Sequence, residues 1–413
     1  MSALFVGVFP VVGNLPIIIT VPHGGYLSPA NVPIRAHGVS EPDINTAELA
    51  RFLLAAFETH LDVPGAMPHV VFNGLQRGKL DMNRNEADAT GGHPLTRLAW
   101  RQFHAFVRRA KRQIVRGQSI TNLMGRAEQN GAGAATPTAA ASSALSASRS
   151  SSPAAATPSP DVVTAATAGS SRGWSRGLVV DLHGQSHDRR HQLGYVLNQA
   201  DLEGHTDAQL DASEALRDKC SLRAVVAMPS RGDAAVDDVA ATAAAGVPRN
   251  NGTPLSSLVR GARSLGALLE SLGHPCVPSP TSPHAHLPPH GKLTYFNGGY
   301  NTCVHGSNLI GAAQREKERA AAAIAASAAG ATALVQSAPT ISDPDPSFSA
   351  LFTSTLEAEC FVSVQIESAY EDNRDSDAHM KRFARNLAEA LCTFTQWHVL
   401  ADGEAWPSTR KQG

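Results

Sequence analysis

The sequence has almost no net charge, few aromatic residues and no long apolar run. Its 413 residues include 35 Lys+Arg and 36 Asp+Glu, which gives a formal net charge of −1. A surface field of one sign is therefore not expected, and this argues against nucleic acid or an acidic membrane as a partner. No segment of the sequence has the length and apolarity of a membrane span or the features of a signal peptide. We expect a cytoplasmic protein.

Cysteine is also scarce, and its spacing excludes two common kinds of site. The five cysteines are far apart and odd in number, and none forms a CxxC pair. This pattern indicates neither a disulfide framework nor a thiolate zinc finger, and it fits a reducing compartment.

Three stretches lack the large apolar side chains that a folded core needs. They lie at about 130–172, 232–246 and 311–346 and consist mostly of small residues. Such composition cannot offset the entropy of ordering, so we interpret them as insertions in surface loops of one catalytic domain spanning 1–413. The third begins with the charged stretch Gln314 to Arg319 and an alanine run, a composition that also permits a helix.

The rest of the chain alternates short β-branched runs with helical patterns. The predicted strands are Leu15 to Val21, Leu178 to His183 and Phe361 to Glu367, and the predicted helices are Ala47 to Leu61, Leu255 to Leu272 and Ser376 to Val399. This alternation predicts an α/β fold, specifically a three-layer α/β/α sandwich. Ligands of such sheets gather beyond the carboxyl ends of the strands.

Two histidines lie at predicted strand ends. His23 follows the first strand and is succeeded by two glycines that permit a tight turn. Asp181 and His183 are two residues apart and should point to the same face of their strand, where the carboxylate can fix the tautomer of a metal-binding imidazole. The alternatives are a hydrogen-bonded loop histidine at position 23 and a structural Asp–His pair at the sheet edge.

A carboxylate ends the third predicted strand. Val362, Val364 and Ile366 alternate with Ser363, Gln365 and Glu367, so the two sets should face opposite layers. A buried carboxylate there is costly unless it is used or paired. Glu367 is therefore either a general base beside a metal site or the partner of an arginine.

Two further polar segments suggest substrate contacts. In the segment Asp81-Met-Asn-Arg84, Asn83 and Arg84 are candidates to bind a carboxylate of the substrate. An ordinary surface loop is an equally simple interpretation. The segment around Tyr300 and His305 reads as a turn or lid with polar groups, or as an ordinary glycine turn. Gly184-Gln-Ser-His is not a GxSxG elbow, which argues against a serine hydrolase.

Taken in order, five short motifs resemble those of the N-formylglutamate amidohydrolase family, whose members are similar to zinc carboxypeptidases. The motifs span nearly the whole chain outside the insertions. They are Val21-Pro-His-Gly-Gly25, Asp81-Met-Asn-Arg84, Asp181-Leu-His183, Phe296-Asn-Gly-Gly-Tyr300 and Gln365-Ile-Glu367. The resemblance implies a mixed sheet, one Zn²⁺ ion and hydrolysis of an amide bond beside a carboxylate.

The resemblance also implies a role for each site residue. The implied metal ligands are His23 and His183 with an acidic third ligand, for which Asp43 is the choice and Glu41 the reserve. The implied catalytic and substrate-binding residues are Glu367 as base, Arg84 and Asn83 at the substrate carboxylate, and Tyr300 and His305 nearby.

Two departures from the family pattern bear on the substrate. Asn297 stands where the family usually has lysine, and Gly184 where it usually has serine. We expect a zinc amidohydrolase acting on a small acidic N-acyl amino acid or peptide, with N-formylglutamate as one candidate. The alternatives are a carboxypeptidase-like peptidase and a non-catalytic binding protein on a retired hydrolase fold.

Overall fold

The computed structural model describes residues 7–116, 174–226, 252–285, 295–330, 360–401, 404 and 406. The interpretations of 130–172 and 232–246 as inserted loops lie outside the described residues. Of the third stretch, residues up to Gly330 form a helix, so the helical interpretation is confirmed for that part.

A seven-stranded mixed sheet organises the described residues. Its strand order is β1-β3-β2-β4-β7-β5-β6. The strands are β1 Val8–Val11, β2 Ile17–Val21, β3 His69–Asn73, β4 Gly177–Gln185, β5 His191–Gly194, β6 Cys276–Val277 and β7 Phe361–Ala369. The four central strands are parallel, whereas β1 pairs antiparallel with β3 and β5 antiparallel with β7. The chain is thus an α/β protein with a mixed sheet, as the sequence predicts.

Helices connect and cover the strands. They are α1 Thr46–Leu61, α2 Glu86–Thr90, α3 Pro94–Arg116, α4 Gln199–Glu203, α5 Asp207–Ala212, α6 Glu214–Lys219, α7 Leu255–Arg260, α8 Leu265–Ser271, α9 Tyr300–His305, α10 Leu309–Gly330 and α11 Asp377–Phe394. Within the described part of the chain, no helix is long and apolar enough to cross a bilayer. All five cysteines are free.

The alternation of the central strands divides the core between the two faces of the sheet. Val362, Val364 and Ile366 join a cluster with apolar side chains of α1 and α11. Phe361, with residues of β2, β3 and β4 on the same face, packs against α3. The predicted two-faced pattern of β7 is therefore confirmed, and its polar residues lie on the α3 side.

Two predicted helices end earlier than their apolar pattern suggests. The stretch from Leu255 to Leu272 is two helices, α7 and α8, separated at Gly261 and restarted by Ser264, whose side chain caps α8. The closing helix ends at Phe394 and continues as a π-helical turn, Thr395–Val399. Apolar spacing alone does not reveal such breaks, because both segments keep their buried face.

Candidate metal centre

Parallel pairing brings the ends of β2, β4 and β7 together. Thr20 of β2 is in register with Asp181 of β4, and His183 of β4 is in register with Glu367 of β7. His23 lies two residues beyond the end of β2. Strand alternation places Asp181, His183 and Glu367 on one face, so the histidines and both carboxylates converge at the carboxyl edge of the sheet.

The turn before α1 carries Asp43 to the same place. The backbone N–H of Asp43 donates to the carbonyl of His23 at 3.1 Å, and its own carbonyl accepts from the Thr46 hydroxyl at 2.8 Å. Gly24 permits this approach, because a Cβ there would lie 2.8 Å from the backbone nitrogen of Ala47. Asp43 is 6% exposed, whereas Glu41 is exposed and accepts from the Ser40 backbone.

Three potential ligand atoms form a small triangle. The Nδ1 atoms of His23 and His183 are 3.1 Å apart. Oδ2 of Asp43 lies 3.3 Å from Nδ1 of His23 and 3.0 Å from Nδ1 of His183. The two rings and the carboxylate are almost fully buried. These three residues therefore form a group that can hold a metal ion.

A carboxylate binds the outer nitrogen of each histidine. Nε2 of His23 donates to Oδ1 of Asp81 at 2.6 Å, and Nε2 of His183 donates to Oδ2 of Asp181 at 2.9 Å. In a neutral imidazole one nitrogen is a donor and the other carries a lone pair. When both rings are neutral, both Nδ1 lone pairs therefore point inward, toward a third electron-rich atom of Asp43. Three converging acceptors repel one another unless a cation or a proton lies between them.

The donor set matches a metal ion better than a proton. Two imidazoles and one carboxylate are the ligands of catalytic zinc sites, where a fourth position stays open. Ligand bonds of about 2.0–2.2 Å in tetrahedral geometry place neighbouring ligand atoms roughly 3.3–3.6 Å apart, slightly more than the separations of 3.0–3.3 Å in this triangle. Each histidine also has the carboxylate partner that orients metal-bound imidazoles.

Burial and neighbouring charges shift the pKa values of these groups in opposite directions. Burial alone would raise the pKa of Asp43, but His23 and His183 hold it well below the usual range. Burial opposes the charged form of His183, but the carboxylates of Asp181, Glu367 and Asp43 raise its pKa well above the usual range. The pocket therefore favours positive charge at its centre.

Arg77 joins two of the carboxylates. Its Nη1 lies 3.1 Å from Oδ1 of Asp43, and its Nε lies 3.5 Å from Oδ2 of Asp81. The two oxygens of Asp43 thus have separate partners, because Oδ2 faces the histidines. Arg77 therefore links Asp43 with Asp81, the carboxylate that binds Nε2 of His23.

Glu367 lies beside the triangle. Its Oε1 is 3.9 Å from Nδ1 of His183 and accepts a hydrogen bond from Nε2 of Gln365 at 2.7 Å. Burial raises the pKa of this carboxyl, and the positive charge of His183 opposes that effect. Glu367 is therefore a buried carboxylate with a raised pKa beside the group that can hold a metal ion.

Of the two neighbouring residues Asn83 and Arg84, the first lies in the interior and the second at the surface. Asn83 is buried; its Oδ1 accepts from the backbone N–H of Asn301 at 2.8 Å, and its amide nitrogen lies 3.1 Å from Nε2 of His183. The Arg84 side chain is 50% exposed, with Nε 3.8 Å from Oδ2 of Asp81. Arg84 is therefore accessible to a substrate, whereas Asn83 belongs to the wall of the site.

Tyr300 and His305 do not contact the triangle in the described structure. The Tyr300 hydroxyl donates to Oε1 of Glu318 in α10 at 2.5 Å. Nε2 of His305 pairs with Nδ1 of His104 in α3 at 2.9 Å, and the two rings stack. His305 lies on the buried face of α9, five residues beyond Tyr300, and its ring faces His104 of α3.

Three contributors to the site carry no clear signal in the sequence. Asp81 is conspicuous in its polar segment, but nothing in the sequence shows that it binds His23. Arg77 lies four residues before Asp81, a spacing that suggests a local pair and says nothing of Asp43. Gln365 alternates with Glu367, which places both on one face without showing that their side chains are bonded.

No protein-family model, curated protein or solved structure matches the chain. The resemblance to N-formylglutamate amidohydrolases therefore stays a prediction from the five motifs.

Proposed function

We propose that this protein is a zinc-dependent amidohydrolase that cleaves an amide bond next to a carboxylate. The observation that carries the proposal is the triangle of His23, His183 and Asp43, in which three electron-rich atoms lie 3.0–3.3 Å apart. Both outer histidine nitrogens are occupied by carboxylates, so the inner nitrogens are available as ligands. The mixed α/β sheet agrees with the zinc carboxypeptidase-like sandwich that the motifs suggest.

Zinc held by these three residues would supply a Lewis acid that acidifies water and polarises the scissile carbonyl. Glu367 accepts the proton that the attacking water loses as its oxygen bonds to the carbonyl carbon. The same carboxyl then delivers this proton to the amide nitrogen as the carbon–nitrogen bond breaks. The products are a carboxylic acid and a free amine. Burial of Glu367 suits it to the first step, because a raised pKa makes the carboxylate a stronger proton acceptor.

Arg84 is the residue we assign to the substrate carboxylate. Its guanidinium is half exposed and close to the carboxylate of Asp81, so it lies at the open side of the buried cluster. A planar guanidinium binds a carboxylate through two parallel hydrogen bonds. The substrate we propose is an acidic N-acyl amino acid or short peptide, with the N-formyl derivative of glutamate as one member of the class.

The decisive experiment combines metal analysis with one conservative substitution. Purified protein should contain about one zinc per chain, and Glu367→Gln should keep that zinc while turnover falls by a factor of about 10²–10⁴, since general-base catalysis contributes this much. Glu389→Gln, an exposed carboxylate of α11, is the matched control and should leave turnover unchanged. Full activity in Glu367→Gln would refute the mechanism.

A substrate panel separates the chemical classes that share this site. N-formyl, longer N-acyl and peptide derivatives of glutamate and aspartate should be compared with the same derivatives of leucine. If the wild type prefers the glutamate and aspartate derivatives and Arg84→Ala loses this preference, the result supports Arg84 as the residue that binds the substrate carboxylate. Zinc in the protein with no turnover of any compound would favour a binding function.

A further inference from the structure

A buried arginine lies beside the candidate metal centre and has no role in the chemistry above. Arg374 follows β7 and is 2% exposed. Its guanidinium donates to backbone carbonyls: Nε to Ser368 at 3.2 Å, Nη2 to Gln185 at 2.9 Å, and Nη1 to Ile44. Burying a guanidinium is costly, so a set of carbonyl acceptors rather than a direct ion pair needs an explanation.

Each of these carbonyls belongs to a segment that carries a site residue. Ile44 directly follows Asp43, Gln185 is two residues after His183, and Ser368 directly follows Glu367. One rigid, planar group therefore connects the turn before α1 with the ends of β4 and β7. These are the segments that present the third ligand, the second histidine and the base.

Gly184 provides the space that this arrangement needs. A Cβ at position 184 would lie 2.3 Å from Cζ of Arg374, a distance that cannot be accommodated without moving the guanidinium. The backbone N–H of Gly184 also donates to Oδ2 of Asp43 at 3.2 Å. The glycine that stands where the resembled family usually has serine is thus explained by its contact with Arg374.

The charge of Arg374 suits the same position. Burial lowers the pKa of its guanidinium, and the charges of Asp43 and Glu367 oppose this by favouring the protonated form. A fixed positive charge behind these carboxylates reduces their mutual repulsion. Arg77, by contrast, binds Asp43 directly through Oδ1.

We propose that Arg374 is a positioning residue that sets the spacing of Asp43, His183 and Glu367 by joining their three segments. This inference rests on the proposed zinc site, since it concerns the geometry of the ligands and the base. Arg374 does not touch the reacting atoms. Its role predicts that its loss changes the affinity and the coordination of the metal rather than removing a catalytic group.

The test measures metal binding by full-length variants. Arg374→Met keeps a long side chain without donors, and Arg374→Lys keeps the charge but not the planar fork. We expect the Kd for zinc, measured by chelator competition, to rise 10- to 100-fold in Arg374→Met and less in Arg374→Lys, the usual range for residues that orient ligands. Arg382→Met is the matched control, because this exposed arginine also donates to a backbone carbonyl, that of Asp372.

Two further readouts distinguish positioning from loss of stability. The visible spectrum of the Co²⁺-loaded protein should change in Arg374→Met, because it reports ligand geometry, and should not change in Arg382→Met. Gly184→Ala should weaken zinc binding in the wild-type background and have a much smaller effect in Arg374→Met, since the guanidinium it displaces is then missing.

The outcomes separate this inference from the proposed function. Wild-type protein that binds no zinc would contradict the proposed function. Zinc binding by the wild type together with a Kd within about twofold in Arg374→Met, and an unchanged Co²⁺ spectrum, would overturn only the role of Arg374. If Arg374→Met does not fold, Gly184→Ala decides by the same two measurements, with unchanged values overturning the inference.

Discussion

The two oxygens of Asp43 face different partners, and this division determines how the site is built. Oδ2 points at the two histidines and at the backbone of Gly184, while Oδ1 is bound by Arg77. A carboxylate that is free to rotate would lose this orientation. Arg77 therefore stabilises the orientation in which Oδ2 of Asp43 faces both histidines.

Replacement of Arg77 by glutamine should weaken zinc binding. The variant loses the charge between Asp43 and Asp81 and keeps at most one of two contacts. We expect the Kd for zinc to rise 10- to 100-fold, as for other residues that hold ligands. Chelator competition measures this directly. Arg97→Gln is the control. Arg97 of α3 forms an ion pair with Glu86 of α2 at the surface, so this substitution should leave the Kd unchanged.

A second prediction at the residue scale concerns pH and His191. This ring is fully buried, stacks on Phe383 and accepts a hydrogen bond from the backbone N–H of Ala369 at 3.2 Å. Burial lowers its pKa to about 3. In the unfolded chain the pKa is about 6.5, so between these values the unfolded state takes up a proton that the folded state refuses. The contribution of neutral His191 to stability is thus lost as pH falls from 6.5 toward 3.

The variant His191→Phe removes this titration. Between pH 7.5 and pH 5, the wild type should lose about 2 kcal/mol more in free energy of unfolding than the variant. Urea unfolding at the two pH values provides the measurement, and all other titrating groups are common to both proteins. An equal loss in the two proteins would show that His191 does not contribute to the acid sensitivity.

At the scale of single residues, the sequence shows which residues belong to the site better than it shows which residues they contact. His23, His183 and Glu367 are marked by their place at strand ends, and strand alternation predicts the Asp181–His183 contact that the structure contains. The pairing of Asp81 with His23 joins residues 58 positions apart. No local pattern encodes such a contact, because the fold brings the two segments together.

At the scale of elements, α9 closes one wall of the site through its first turn. The backbone N–H of Gly299 donates to Oε1 of Gln365, and that of Asn301 donates to Asn83. Position 299 must be glycine, since a Cβ there would lie 2.2 Å from the amide nitrogen of Asn83. The second glycine of the pair is thus explained by its close packing against Asn83.

The hydrogen bond between Tyr300 of α9 and Glu318 of α10 allows the role of Tyr300 to be tested. Because its hydroxyl is bound to Glu318, we expect Tyr300→Phe to lower the free energy of unfolding by about 1 kcal/mol and to change kcat less than twofold. A donor to the developing oxyanion would instead cost a factor of about 10²–10³ in kcat. Urea unfolding and steady-state kinetics separate the two roles.

Glu318→Met serves as the partner variant in this test, because it removes the carboxylate that accepts from the Tyr300 hydroxyl. It should reduce stability by a similar amount, and the double variant should lose less than the sum, because both changes break the same hydrogen bond. A large fall in kcat in the single variant Tyr300→Phe would instead show that Tyr300 takes part in catalysis.

The sequence predicts the longer helices and strands more completely than it predicts the residues at which they end. β2, β4, β7, α1 and α11 all contain the predicted ranges or most of them. The break between α7 and α8 and the π turn after α11 were not predicted, because tertiary packing maintains the apolar face across both irregularities. The edge strands β1 and β6 and the neighbouring strand β5 are short, and their apolar patterns are too brief to mark them.

At the scale of the whole molecule, the site exists only when the sheet is assembled. His23, Asp43 and His183 come from three segments, and Glu367 from a fourth near the other end of the chain. Parallel pairing of β2, β4 and β7 sets their distances, so an unfolded chain cannot present the same set of ligands. The α/β class follows from the sequence, whereas the order of the seven strands does not, since crossover connections leave no local signal.

Metal removal should therefore lower the stability of the whole fold. A ligand that binds only the folded state stabilises it by RT ln(1 + [L]/Kd), about 4 kcal/mol when free zinc is a thousandfold above Kd. We expect chelation to lower the unfolding temperature of the wild type and zinc to restore it. His23→Ala should lose most of this zinc-dependent increase, whereas His60→Ala, which removes an exposed histidine of α1, should keep it. An equal increase in all three proteins would mean that zinc binds elsewhere, because a triangle without one corner cannot hold the ion with the same affinity.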